Sequence, residues 1–194
     1  MLKPENTCLL VIDLQERLMP VISGNEEMIK RCAALIKGMK LLDVPILVTQ
    51  QYTKGLGPTV PQIAEALGEF EPIEKITFSC VADEGFRQKL SECNRENIVV
   101  VGAEAHICVQ QTVLDLFGLL NLLGSDYLRE VGANDVYLVV DCVGSRHDVD
   151  KTYALERMKK LGATFTTLEA VLFELLYTAE HPHRKEIQAL VMDL

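Results

Sequence analysis

The chain has 194 residues, enough for one domain with a sizeable core, and 28 acidic against 19 basic residues leave a net charge of -9. That balance provides no basic stripe for a nucleic-acid backbone or an anionic membrane, so neither is expected as a partner and a small molecule is. No uncharged apolar run makes a convincing membrane span, and the N-terminus, MLKPENTCLLVIDLQ, lacks a signal-peptide pattern; a cytoplasmic location is expected.

Thr7 to Asp13 reads as a first strand, apolar throughout and ending on a carboxylate. Glu26 to Leu42 places Met28, Ile29, Cys32, Leu35, Ile36 and Met39 at helical spacing. A second strand follows from Ile46 to Thr49. QQYTKGLGPTVPQ then reads as a long loop, placed to overhang a site. Pro72 to Ile76 is a third strand that carries Lys75 to its carboxyl end, and Asp83 to Cys93 is helical. Asn97 to Thr112, NIVVVGAEAHICVQQT, reads as a buried strand, a turn and the start of a helix at Cys108. Asp135 to Asp141 is a fifth strand, Lys151 to Leu161 a helix, and Ala163 to Leu168 a sixth strand. Helices over Glu169 to Tyr177 and Arg184 to Met192 complete the pattern. Six alternations of strand and helix specify a three-layer α/β/α sandwich with a mainly parallel six-stranded sheet. Residues 1–194 form one expected domain, with no internal repeat or linker. The six cysteines, at 8, 32, 80, 93, 108 and 142, show no CxxC spacing and read as reduced thiols.

In an open parallel sheet, ligands bind beyond the carboxyl ends of the strands. Asp13, Lys75 and Cys108 all fall at that edge. A carboxylate can accept a thiol proton, a lysine can hold that carboxylate, and a thiolate can attack a carbonyl carbon. A helix N-terminus also favours thiolate over thiol, which places Cys108 to react. The plainer alternative makes Asp13 a helix cap, Lys75 a solvated side chain and Cys108 a small buried hydrophobe.

The motifs VIDLQ at 11–15, EKITFS at 74–79 and GAEAHICVQQT at 102–112 resemble those of the isochorismatase-like cysteine hydrolases. QQYTKGLGPTVP, VVDCVGSR at 139–146 and HPHRKEIQAL at 181–190 resemble the isochorismatase domain-containing subgroup. The resemblance runs over nearly the whole chain. It implies a Rossmann-like hydrolase fold and a catalytic triad of Asp13, Lys75 and Cys108. It also implies a cis peptide between Ala103 and Glu104, with the backbone N–H groups of Glu104 and Cys108 serving as an oxyanion hole. The expected reaction is metal-independent cleavage of a small amide or related C–N bond through a Cys108 thioester. The opposing expectation is a binding or scaffolding protein that keeps the fold with little turnover.

Nicotinamidases of the family carry metal-binding Asp and His residues after the second strand, where this chain has Gln51-Tyr52-Thr53, so no catalytic metal and no cofactor are expected. His181 and His183 flank Pro182 at a helix start and read as structural. His106, two residues from Cys108, would not face it on a helix. Leu14-Gln15-Glu16 offers no glycine-rich turn for a dinucleotide, and Gln15 stands where an aspartyl-phosphate phosphatase would have its second Asp. Leu18, Leu56, Phe78 and Arg146 are candidate substrate-pocket residues. Relatives pass quickly from the cysteine-bearing helix to the fifth strand, but here about a dozen added residues lie between Leu116 and Asn134. That apolar stretch, with LFGLLNLLGSDYL, points to a homo-oligomer with a dimer as the minimum.

Overall fold

Every residue of β1 (Thr7–Ile12) and of β4 (Asn97–Ala103) is buried, which is why neither segment alternates polar with apolar positions. The computed structural model describes residues 1–118 and 135–194. Within them, β1 and β4 are the central pair of a sheet completed by β2 (Ile46–Gln51), β3 (Ile73–Lys75), β5 (Asp135–Gly144) and β6 (Thr164–Thr166). The order is β3-β2-β1-β4-β5-β6 and every ladder is parallel, as the alternation of elements requires.

Successive residues of a strand face opposite ways, and the two faces build two cores. Leu9, Val11, Val99 and Val101 pack with α1 (Asn25–Leu41), and the same core takes in α3 (Pro61–Leu67), α7 (Leu168–Leu176) and Ile187 of α8 (Arg184–Met192). Cys8, Leu10, Ile12, Ile98 and Val100 face the other way, toward α4 (Glu84–Cys93), α5 (Gln110–Leu116) and α6 (Asp148–Lys160). The result is the three-layer sandwich. The added stretch before Asn134 falls largely on residues 119–134, outside the described residues.

The expected loop after β2 is more ordered than its composition suggests. β2 continues to Gln51, a one-turn helix α2 spans Thr53–Leu56, and α3 begins at Pro61. Pro61 occupies the first helical position, where its missing N–H costs nothing, and Gly68, at φ +74°, takes the left-handed turn that ends the helix. The buried Gln15 amide fastens this segment down: Nε2 donates to Gln51 O at 3.0 Å and Gly57 O at 2.7 Å, while Oε1 accepts from Gln51 N at 2.8 Å. β5 also runs past Asp141 to Gly144; Asp141 accepts from Leu168 N and pairs with Arg31, a structural role.

One glycine governs how closely the two central strands approach at their carboxyl ends. Gly102 lies at φ +138°, and a Cβ there would stand 2.2 Å from Ile12 O and 2.7 Å from Ile12 Cβ. The β4–β5 register also shifts between Val100 and Gly102, which redirects the end of β4. Gly102→Ala should therefore cost on the order of 3 kcal/mol, since it adds both a backbone strain and a clash with main chain. Urea unfolding measures it; a wild-type midpoint would mean that the close approach is dispensable.

Candidate active site

The chain leaves β1 toward β2 on one side, while β4 flanks β1 on the other. The carboxyl ends of β1 and β4 therefore border the point where the winding of the sheet reverses, which is where crevices open in folds of this kind. Asp13 follows β1 directly, in the left-handed backbone region at φ +53°. Its carboxylate has no exposed surface. Oδ2 accepts from Lys75 Nζ at 2.7 Å and Oδ1 accepts from Thr49 Oγ1 at 2.7 Å. Lys75, the last residue of β3, is 1% exposed, and Nζ also donates to Gln51 Oε1 at 2.8 Å and to the carbonyls of Thr77 and Phe78 at 3.2 Å. The solvated-lysine and helix-cap alternatives do not describe these side chains.

Cys108 completes the cluster from the other side of β1. The helical run begins at Ala105, not at Cys108: Ala105–Val109 is a π-helical turn closed by Val109 N donating to Glu104 O at 3.1 Å, and α5 continues from it. The thiol is 5% exposed and lies within the field of Asp13, Lys75 and Cys80.

These neighbours decide its protonation. Burial, then the Asp13 charge, push the Cys108 thiol well above its ordinary range; Lys75 opposes them, and a hydrogen bond to Asp13 adds to the rise. The expectation that a helix start would favour the thiolate is overturned: desolvation and an adjacent carboxylate outweigh the partial charge of a helix end. The resting form is a thiol facing a carboxylate. For Lys75, burial works to lower the pKa, but the charges of Asp13, Cys80 and Cys108 and the bond to Asp13 outweigh it and hold the ammonium above its ordinary value. Cys80 is pushed up to about 11, foremost by burial.

The other residues named from the sequence fall into two groups. The Ala103–Glu104 peptide is cis, and the Glu104 carboxylate is buried, with Oε1 2.8 Å from Arg146 Nε and Oε2 3.4 Å from His106 Nε2. His106 Nδ1 lies 2.9 Å from Ser145 Oγ, so this ring belongs to the Glu104 network. Arg146 itself is half-exposed. Leu18 is half-buried against the α1 core, Leu56 is half-buried in α2, and Phe78 is exposed beside the lysine that its carbonyl binds. His183 precedes α8 and pairs with Glu186 at 3.5 Å, while His181 Nδ1 accepts from His183 N.

The sequence reading missed Thr49, Gln51, Cys80 and Thr112. Thr49 and Gln51 carried a usable signal, polar residues ending the otherwise apolar strand ILVTQQ; Cys80 and Thr112 carried none. The roomy groove of about 690 Å³ between α1, α3 and α8 contains none of these residues, so buried chemistry and not cavity size locates the site.

The isochorismatase domain model matches residues 7–170. The chain belongs to the isochorismatase family. Among its relatives, mouse isochorismatase domain-containing protein 2A is 36% identical over 193 residues, covering 98% of this chain and 84% of that protein. The zebrafish isochorismatase domain-containing protein 1 is 35% identical over 98% of this chain and 62% of its own length. Among solved structures, the MAR1 ribonuclease from Caenorhabditis elegans superposes with a TM-score of 0.84 at 38% identity, over 98% of this chain and 92% of that one. The YcaC gene product of Escherichia coli, an octameric hydrolase of unknown specificity, shares the fold at a TM-score of 0.81 and 19% identity, over 99% and 95% of the two chains. At the coarse level of the family, this isochorismatase-like chain is a hydrolase.

The buried pair sets the stability of the site. Lys75→Met strands the Asp13 carboxylate without its counter-ion and should cost about 3–5 kcal/mol at neutral pH, much of it recovered in the double variant with Asp13→Asn. The raised pKa of Lys75 adds stability that is fully present below its unfolded value of 10.5 and lost as pH rises through the folded value; the raised thiols act alike from 9.0 upward. Wild-type urea midpoints should hold to about pH 9 and then fall; midpoints that rise above pH 9 would contradict the assignment.

Proposed function

We propose that the whole chain is one metal-independent cysteine hydrolase domain that cleaves a small amide or related C–N bond. The observation that carries this reading is the fully buried Lys75–Asp13 pair at 2.7 Å with the Cys108 thiol against it, at the reversal point of the sheet. In the resting site Lys75 is an ammonium, Asp13 a carboxylate and Cys108 a thiol, so the three are together neutral. As Sγ adds to the substrate carbonyl carbon, its proton passes to Asp13. The new oxyanion is received by the backbone N–H groups of Glu104 and Cys108. Collapse breaks the C–N bond, the amine leaves with the proton from Asp13, and a Cys108 thioester remains. Water then adds while Asp13 takes its proton, and expulsion of the thiol regenerates the site. Lys75 keeps Asp13 charged between steps and limits the cost of the buried proton shuttle.

The substrate pocket is formed around Leu18, Leu56, Phe78 and Arg146, and no cofactor takes part. A neutral triad suits a neutral carbonyl compound. The nematode relative's name suggests RNA cleavage as a second reading, but a net charge of -9 gives the chain no field with which to gather a polyanion. Nucleic acid and membrane are accordingly outside the proposed partners, and the location is cytoplasmic. The octameric YcaC hydrolase supports assembly of this chain into a homo-oligomer, a dimer at least.

Incubation with a panel of small amides, followed by intact-protein mass spectrometry, tests the chemistry. An acyl adduct present in the wild type and lost in Cys108→Ala is expected. Asp13→Asn should lower turnover on the order of 100-fold or more, yet move the Cys108 thiol titration downward, because it removes a negative charge while Lys75 remains. No adduct and no turnover with any carbonyl compound would favour a binding protein, and cleavage of RNA oligomers would favour the second reading. Sedimentation as a monomer at micromolar concentration would remove the oligomer.

A further inference from the structure

Beside the proposed base and nucleophile lies a second buried thiol that the mechanism does not use. Cys80 has no exposed surface, and it bonds in both directions. Its Sγ donates to Thr49 Oγ1 at 3.9 Å, and Thr49 Oγ1 donates to Asp13 Oδ1 at 2.7 Å. Its backbone N–H donates to Thr112 Oγ1 at 3.0 Å, and Thr112 Oγ1 donates to Cys108 O at 2.7 Å. Thr49 and Thr112 are likewise fully buried.

We propose that Thr49, Cys80 and Thr112 are positioning residues that form one hydrogen-bonded strut, holding Asp13 and Cys108 at a fixed separation. The inference rests on the reading of Asp13 as base and Cys108 as nucleophile. The triad residues stand just after β1, at the end of β3 and on the turn after β4, so no single element sets their spacing. Each threonine hydroxyl uses its one proton on the catalytic residue and accepts from Cys80 with a lone pair, which fixes the direction of every bond in the chain. The strut has two working ends. The Thr49 end supplies a donor to the charged carboxylate, which also faces Lys75, Cys108 and Cys80. The Thr112 end holds the carbonyl of the residue that carries the nucleophile, and small errors there are costly to an attacking atom.

The two ends predict different kinetic signatures. The probe is iodoacetamide, with peptide mapping to follow labelling of Cys108 against pH. Thr49→Val removes a hydrogen bond to the charged base and should move the acid limb of labelling up by about 1 pH unit; Thr49→Ser should return it. Cys80→Ala, which deletes only the S–H, should move the same limb in the same direction by less. Thr112→Val should lower the labelling rate about tenfold at every pH without moving the limb, and Thr112→Ser should restore the rate. Should Thr112→Val fail to fold, Cys80→Ala and the Thr49 pair still decide the question. Profiles for Thr49→Val and Cys80→Ala that overlay the wild type, with only a lower melting temperature, would overturn the strut. Wild-type labelling that is indifferent to Asp13→Asn would instead sink the hydrolase reading, so the two failures are distinguishable.

Discussion

A charged lysine and a charged aspartate, both without access to water, share a 2.7 Å contact at the carboxyl ends of β1 and β3. In such a place each charge alone would be costly, and the pair is tolerable only because the remaining donors and acceptors are also met. Thr49 serves the second carboxylate oxygen, and Gln51 with two backbone carbonyls serves the ammonium. Those partners come from β2 and from the turn beyond β3. The arrangement of the strands' carboxyl ends is therefore tied to the satisfaction of one ion pair. The pinned segment after β2 belongs to the same constraint, since Gln51, which serves Lys75, is itself held through its backbone by Gln15.

The pair also determines what kind of nucleophile Cys108 can be. Beside a lone lysine the thiol would ionise readily. Beside a lysine already matched by Asp13, in a dry setting, it keeps its proton. A site of this kind holds its nucleophile as a thiol. Its reactivity appears when a substrate carbonyl offers somewhere for the electrons of sulfur to go, and the proton then has a carboxylate waiting. General base chemistry, rather than a depressed thiol pKa, is the mode that the electrostatics favour.

Much of this was legible in the chain. Buried parallel strands announce themselves as unbroken apolar runs, so β1, β4 and the sheet they imply were readable, and with them the edge at which Asp13, Lys75 and Cys108 meet. What escaped was of two kinds. Local signals were outweighed by composition at α3, where Pro61 and Gly68 mark the ends of a helix inside a glycine- and proline-rich stretch. Long-range signals did not exist at Cys80 and Thr112, because hydrogen bonds between residues 32 apart leave no periodicity to read. The protonation of Cys108 was misjudged for a related reason. A helix end is visible in sequence, but the degree of burial that overrules it is a property of the assembled layers.

Gly102 connects these levels. The approach that it permits, with no room for a Cβ against Ile12 O, brings the end of β4 against the end of β1. Asp13 is the next residue after Ile12, and Cys108 is carried on the turn that begins three residues after Gly102. A methyl group at this one position would wedge apart the two strand ends on which base and nucleophile are mounted. The buried strut through Cys80 could not compensate, since its Sγ–Thr49 link is already 3.9 Å long and the others join buried residues. Backbone permissiveness at one residue and hydrogen-bond satisfaction at its neighbours thus act on the same distance. That distance, between a buried carboxylate and a buried thiol, is the quantity the fold must hold for the proposed chemistry to run.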